Sequence, residues 1–277
     1  MSVLPEGLPS LRAVVERHGL AARKSLGQHF LLDQAICDRI VRLAGDLSGV
    51  HVVEVGPGPG GLTRALVGSD AASVSAIELD ARAVAACEDL AAAVPGRLVV
   101  VAGDALRVRV PDLVASPRAI VANLPYNAGT PLLVRWLAEA GCYRCMVLMF
   151  QLEVAARLVA APDSAAYGRL SVLTQLVCEA SIVMRLPASV FSPPPKVESA
   201  VVRLVPRPEQ PRAALFAAIE RVTAAAFGQR RKMLRVALKS VGGADLLERA
   251  GIDGTRRGET LSVAEFVALA ELTLRPA

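Results

Sequence analysis

The sequence predicts an α/β domain, a mostly parallel sheet covered by helices and closed by an antiparallel strand, followed by a small all-helical domain. Three observations carry this. From His51 onward, short β-branched runs alternate with longer helical stretches, the pattern of a parallel sheet with helices on both faces. The last two strand-like runs, 181–186 and 197–205, are joined by residues 187–196. That link is too short for another packed crossover helix, so an antiparallel pair is expected. Beyond Pro206, Pro208 and Pro211 the strand pattern stops and only helical periodicity remains.

Taken in order, residues 8–48 read as helices on an apolar pattern through Leu11, Val14 and Val15, then Ile36, Ile40 and Leu43. Between them lies a stretch, 23–32, that is basic first and then apolar. Strands are expected over 51–55, 73–79, 98–102, 119–122 and 145–150, where Val, Ile and Ala dominate. Helices are expected near 62–67, 81–94, 131–140, 153–160 and 170–180. After the proline linker, 213–227, 232–240 and 263–273 complete the helical domain. The domain limits are therefore 1–206, with 1–48 as a helical cover over the ligand site, and 207–277.

Composition narrows the class. A chain of 277 residues can bury a full core and carry a small appendage. Hydrophobic residues make up 53% and the mean hydropathy is +0.44, yet no apolar run approaches the roughly 20 residues of a membrane span. The first 27 residues mix Pro, Glu, Arg and His without an apolar core, so no secretory leader is expected. Five cysteines, an odd number in apolar surroundings, read as reduced thiols of the cytoplasm. Cys142 and Cys145 form a lone C-x-x-C without a second pair, so core thiols are expected and no metal. The net charge is +5 and unevenly spread. Residues 1–205 hold 19 Lys/Arg against 18 Asp/Glu, and residues 206–277 hold 12 against 8.

The chemistry starts after the first strand. Gly56, Gly58 and Gly61 fit G-x-G-x-x-G, and Glu78 follows at the end of the second strand. Glycines let the backbone approach a ligand, and the acid holds ribose hydroxyls. Dinucleotides and S-adenosylmethionine share this geometry. Pro57 and Pro59 remove two N–H groups that a pyrophosphate would need, and S-adenosylmethionine has no phosphate. Asp104, after the third strand, is placed to accept the exocyclic amine of a cofactor adenine. Asn123, Leu124, Pro125 and Tyr126 end the fourth strand, at the sheet edge where ligands bind. The Asn123 side-chain oxygen and the Leu124 carbonyl suit the two N–H groups of an exocyclic amine, and Tyr126 suits stacking on its ring. Pro125 has a fixed φ and stiffens that carbonyl.

With these residues in view, the chain resembles the bacterial-type small-subunit ribosomal RNA adenine N6,N6-dimethyltransferases. Seven stretches carry the resemblance in order: 23–31 (RKSLGQHFL), 54–61 (EVGPGPGG), 123–127 (NLPYN), 151–155 (QLEVA), 167–171 (YGRLS), 191–197 (FSPPPKV) and 227–232 (FGQRRK). It implies a Rossmann-like, S-adenosylmethionine-dependent methyltransferase domain and a small helical RNA-binding domain. The implied activity is transfer of two methyls to N6 of each of two adjacent adenosines near the 3′ end of the small-subunit RNA. The implied setting is a cytoplasmic monomer acting within an assembling small ribosomal subunit, away from membranes.

Carried over by residue, Gln28, His29 and Leu31 would close over the cofactor, and Gly56 would meet its methionine end. Glu78 would hold the ribose, Asp104 the adenine, and Asn123 both cofactor and target. Tyr126 and Phe191 would clamp a flipped adenine between two rings, as enzymes acting on a base require. Arg230, Arg231 and Lys232, continued by Arg235 and Lys239 on one expected helix face, would grip phosphates. The chemistry implied is positioning and electrostatics with no general base. Leu152 and Gly258 depart from residues common in the family, and neither touches the proposed chemistry.

Overall fold

The computed structural model describes residues 5–20, 28–125 and 128–274. It begins with α1 (Leu11–Arg17), started by Ser10, whose hydroxyl accepts the Ala13 N–H. A two-residue strand, β1 (Phe30–Leu31), precedes α2 (Gln34–Arg42), which Asp33 caps through the Ile36 N–H. The alternating section follows: β2 (His51–Val55), α3 (Gly61–Val67), β3 (Ser73–Glu78), α4 (Ala81–Ala93), β4 (Leu98–Ala102), α5 (Val110–Leu113), β5 (Arg118–Asn123), α6 (Gly129–Leu137) and β6 (Cys145–Gln151). Then come α7 (Leu152–Leu158), α8 (Arg169–Val177), β7 (Cys178–Leu186), β8 (Phe191–Ser192) and β9 (Ser199–Pro206). Four helices close the chain: α9 (Ala213–Gly228), α10 (Leu234–Ala237), α11 (Gly243–Ala250) and α12 (Val263–Leu274).

The seven-stranded sheet has the order β4-β3-β2-β5-β6-β9-β7. The pairs from β4 to β6 are parallel, and β9 runs antiparallel to β6. Val52 and Val53, neighbours on opposite faces of β2, are both 0% exposed. Helices therefore cover both faces, which is why these strands read as unbroken apolar runs instead of alternating ones. β1 pairs antiparallel with β8 in a separate two-stranded ribbon that the apolar pattern did not announce.

Two compact units result. One is Met1–Leu133, Cys142–Ala155 and Ser181–Val205; the other is Val134–Gly141, Ala156–Ala180 and Pro206–Ala277. The division differs from a single cut at Pro206 because α8 packs on α9 and α12. Tyr167 and Phe227 rings meet edge-on at 6.0 Å, and Phe227 lies 5.6 Å from Phe266.

Two helix expectations need correction. The helix expected over 170–180 ends at Val177, because Cys178 already belongs to β7. The helix expected over 232–240 is a single turn, Leu234–Ala237, followed by a 3₁₀ turn, Lys239–Val241. The Leu234 and Arg235 N–H groups donate to the carbonyls of Arg256 and Gly254, which sets the start. Gly242, with φ at +124°, ends it. Arg235 and Lys239 therefore do not share one helix face. Helix α11 was not anticipated.

Candidate active site

β2 and β5 lie side by side although two strands and their helices separate them in sequence. This is a topological switch point, and the crevice beyond the carboxyl ends of such strands is where open α/β sheets hold ligands. A cavity occupies it, lined by the loop after β2, the end of β5, Glu54, Glu78 and residues 28–31. Of the residues singled out from the sequence, Gln28, His29, Leu31, Gly56, Gly58, Glu78, Asn123, Leu124 and Pro125 all line it.

The glycine loop is tight because residues 30 and 31 lie directly over it. A Cβ on Gly61 would stand 2.6 Å from the Leu31 carbonyl oxygen, and one on Gly58 would stand 2.9 Å from the Phe30 ring. The loop has also committed its donors. Gly56 N–H donates to the Ile77 carbonyl and Gly60 N–H to the Pro57 carbonyl, each at 3.0 Å. Gly58 N–H donates to Glu78 Oε2 at 3.2 Å. Pro57 and Pro59 have no N–H to give, so residues 56–60 have no uncommitted donor for a pyrophosphate.

Glu78 is 7% exposed and aimed by its own backbone. Its Oε1 accepts the Leu79 and Asp80 N–H groups at 2.8 and 2.9 Å. Burial raises its carboxyl above the ordinary range, while these N–H bonds pull the other way. Glu54 is the residue sequence reasoning passed over as a site. It is 1% exposed, and its Oε2 has no hydrogen-bond partner among the described residues. Burial pushes its carboxyl up to about 8; the nearby Thr63 hydroxyl lowers it and the Glu78 charge raises it. The signal was its place two residues before Gly56, an acid set among Val52, Val53 and Val55 of a buried strand.

Neighbouring polar groups hold the cover. Gln28 Nε2 donates to Asp80 Oδ2 at 3.3 Å. Asp80 is paired with Arg82 at 2.6 Å, and Arg82 also donates to the Gly19 carbonyl. The Arg82 guanidinium holds the Asp80 carboxyl down at about 2. Asp104 does not line the cavity; its Oδ1 caps the Leu106 N–H at 2.9 Å. The Gly103 N–H, donating to the Glu78 carbonyl at 2.8 Å, ties the start of the Asp104 loop to the end of β3.

At the end of β5, Asn123 Nδ2 donates to the His29 carbonyl at 3.2 Å. The Pro125 carbonyl accepts the Ala128 and Gly129 N–H groups, starting α6. Tyr126 lies outside the described residues. Phe191, expected as one of two stacking faces, is 4% exposed and packs in the core with Leu31, Leu186 and Val201. Pairing of β8 with β1 draws the ring inward, so in this structure it offers no open face to a base.

The basic run of the helical unit also divides. Arg230 donates to the carbonyls of Tyr167 at 2.8 Å and Ala165 at 3.0 Å, and lies 3.5 Å from Glu259. Arg231, Lys232, Arg235 and Lys239 are exposed.

Comparisons with known proteins agree with this geometry. The family model described as "Ribosomal RNA adenine dimethylase" matches residues 19–274. The ribosomal RNA small subunit methyltransferase A of Gluconobacter oxydans is 59% identical over 267 residues, covering 96% of this chain and 88% of that one. Among solved structures, a dimethyladenosine transferase from Plasmodium falciparum aligns with a TM-score of 0.75 at 26% identity, covering 87% and 96% of the two chains. The 23S rRNA methyltransferase ErmE aligns with a TM-score of 0.64 at 27% identity, covering 89% and 100%. The switch-point cavity, its glycine loop and the Asn123–Pro125 strand end thus sit in a chain that belongs to the ribosomal RNA adenine dimethylase family.

Proposed function

We propose that this chain uses S-adenosylmethionine to dimethylate N6 of two adjacent adenosines near the 3′ end of small-subunit ribosomal RNA, as a cytoplasmic monomer acting on an assembling subunit. The observation that carries the cofactor choice is the loop after β2. The donors of residues 56–60 are committed, so it suits a ligand without phosphates, while Glu54 Oε2, without a partner among the described residues, suits a ligand bearing a cationic amino group. S-adenosylmethionine supplies an electrophilic methyl on a sulfonium.

The residues divide the remaining work. Glu54 and Gly56 take the amino-acid end, and Glu78, held in place by three N–H bonds, takes the ribose. Gly58 makes room for the Phe30 ring over the loop, while Gln28, His29 and Leu31 exclude water above the ligand. Asp104 receives the adenine amine. Asn123 Oδ1 and the Leu124 carbonyl accept the N–H groups of the target amine, favouring a nitrogen whose lone pair faces the methyl. Tyr126 stacks on the extruded base, and buried Phe191 braces the cover from beneath. Arg231 and Lys232, with Arg235 and Lys239, hold phosphates; Arg230 holds the fold that presents them.

Mass mapping of methylated adenosines in ribosomal RNA, from cells with and without this protein, tests the proposal. Loss of dimethyladenosine at two adjacent positions near the small-subunit 3′ end is expected. Loss confined to large-subunit RNA would overturn it.

A further inference from the structure

We propose that the main-chain carbonyl of His29 is a positioning group for methyl transfer, orienting the Asn123 amide so that its Oδ1 is presented to the acceptor amine. This rests on the reading of Asn123 given above and adds a distant segment to the machinery. The Asn123 Nδ2 to His29 oxygen distance is 3.2 Å. A carbonyl only accepts, so only the NH2 end of the amide can face it. Turning the amide over would set two acceptor oxygens against each other. The Asn123 oxygen is therefore directed away from His29 by chemistry, and both residues line the cavity.

The carbonyl is held in place on each side. After it, Phe30 packs over Gly58, Leu31 is buried, and β1 pairs with β8 through Phe30–Ser192 and Leu31–Phe191. Across from it, His29 Nδ1 donates to the Pro193 carbonyl at 2.8 Å. The acceptor for the target amine is thus aligned by a segment 94 residues away in sequence. The consequence is largest in the second methylation, when the amine has one N–H left and a single well-aligned acceptor must orient it.

The test compares His29→Ala, which removes the Pro193 tie, and Phe30→Ala, which opens the packing over Gly58. His29→Gln, which keeps a side-chain donor, serves as the conservative variant, and Phe30→Leu as the milder one should Phe30→Ala fold poorly. Cofactor affinity is measured by calorimetry with S-adenosylmethionine. Single-turnover transfer to small-subunit particles is measured with cofactor saturating and the protein in saturating excess over the particles, and mass analysis gives the ratio of monomethyl- to dimethyladenosine. The expected result is a saturated rate lower by on the order of 10- to 100-fold, with monomethyladenosine accumulating and His29→Gln partly restored. Weakened cofactor binding with the saturated rate and dimethyl fraction unchanged would overturn the positioning role alone. Asn123→Ala transferring at the parent rate would overturn the site reading and this inference together.

Discussion

The cavity beside β2 and the basic run of the helical unit respond in opposite ways to being folded. In the cavity, residues scattered from Gln28 to Pro125 converge, and most of those expected to meet a ligand do line it. In the basic run, three consecutive charges separate. Arg230 turns to main-chain carbonyls, whereas Arg231 and Lys232 remain exposed. The difference teaches that a motif defined by backbone geometry survives folding better than one defined by charge. Gly58 and Gly61 are required by close approaches that admit no side chain. An arginine in a run is free to serve the fold, because its planar donors satisfy carbonyls as well as phosphates.

The largest effect is expected at Phe191, expected to stack on a base and buried in this structure. Phe191→Ala should destabilise the protein by about 3–5 kcal/mol, the cost of emptying a buried aromatic site, as measured by urea unfolding. A variant of unchanged stability that merely loses RNA affinity would return Phe191 to the stacking role. Asn123→Ala should lower single-turnover methyl transfer by about 10²–10³-fold, as for removal of a group aimed at the reacting centre. Calorimetry should find its cofactor binding largely kept; equal losses in both would place Asn123 with the cofactor only.

Glu54 sharpens the cavity side of the comparison. With its carboxyl pushed up to about 8, against an ordinary 4.5, the folded protein holds a proton that the unfolded chain gives up between those values. Stability of the cofactor-free protein from this group is full below pH 4.5 and is lost as pH rises through about 8. A cationic ligand binds the ionised form, so apparent affinity should rise with pH, by up to about tenfold per unit below 8. Calorimetry in buffers of different ionisation enthalpy should record a proton released on binding near neutrality. Glu54→Gln should abolish both trends, and a pH-independent affinity in the parent would count against the pairing.

The smaller effects divide the basic run. Arg230→Gln should cost about 1–2 kcal/mol of stability through its missing charged hydrogen bonds, read in urea, and leave the salt dependence of RNA binding unchanged. Replacing Arg231 and Lys232 with Gln should do the reverse, reducing the salt slope by roughly 0.7–0.9 for each phosphate no longer neutralised while stability stays intact. Identical behaviour in the two variants would remove the distinction between them.

The sequence by itself determined the alternating elements, the switch of pattern after Pro206 and the glycine loop with its downstream acid. Each is local: apolar runs, prolines and glycines restrict the backbone wherever they occur. The strand over 51–55 and the loop residues that line the cavity were legible for that reason. Only the tertiary structure decided matters that depend on partners distant in the chain. It joined Tyr167 to Phe227 and Arg230, two motifs with nothing in sequence to connect them. It assigned α8 to the helical unit and shortened the helix after Lys232, because loop carbonyls 19 and 22 residues onward claimed its first N–H groups. It buried Phe191 through a two-residue ribbon too short to leave a periodic signal, and left Glu54 with an oxygen in the cavity wall that has no partner among the described residues. Burial and hydrogen-bond satisfaction belong to the whole packed chain, and no window of sequence contains them.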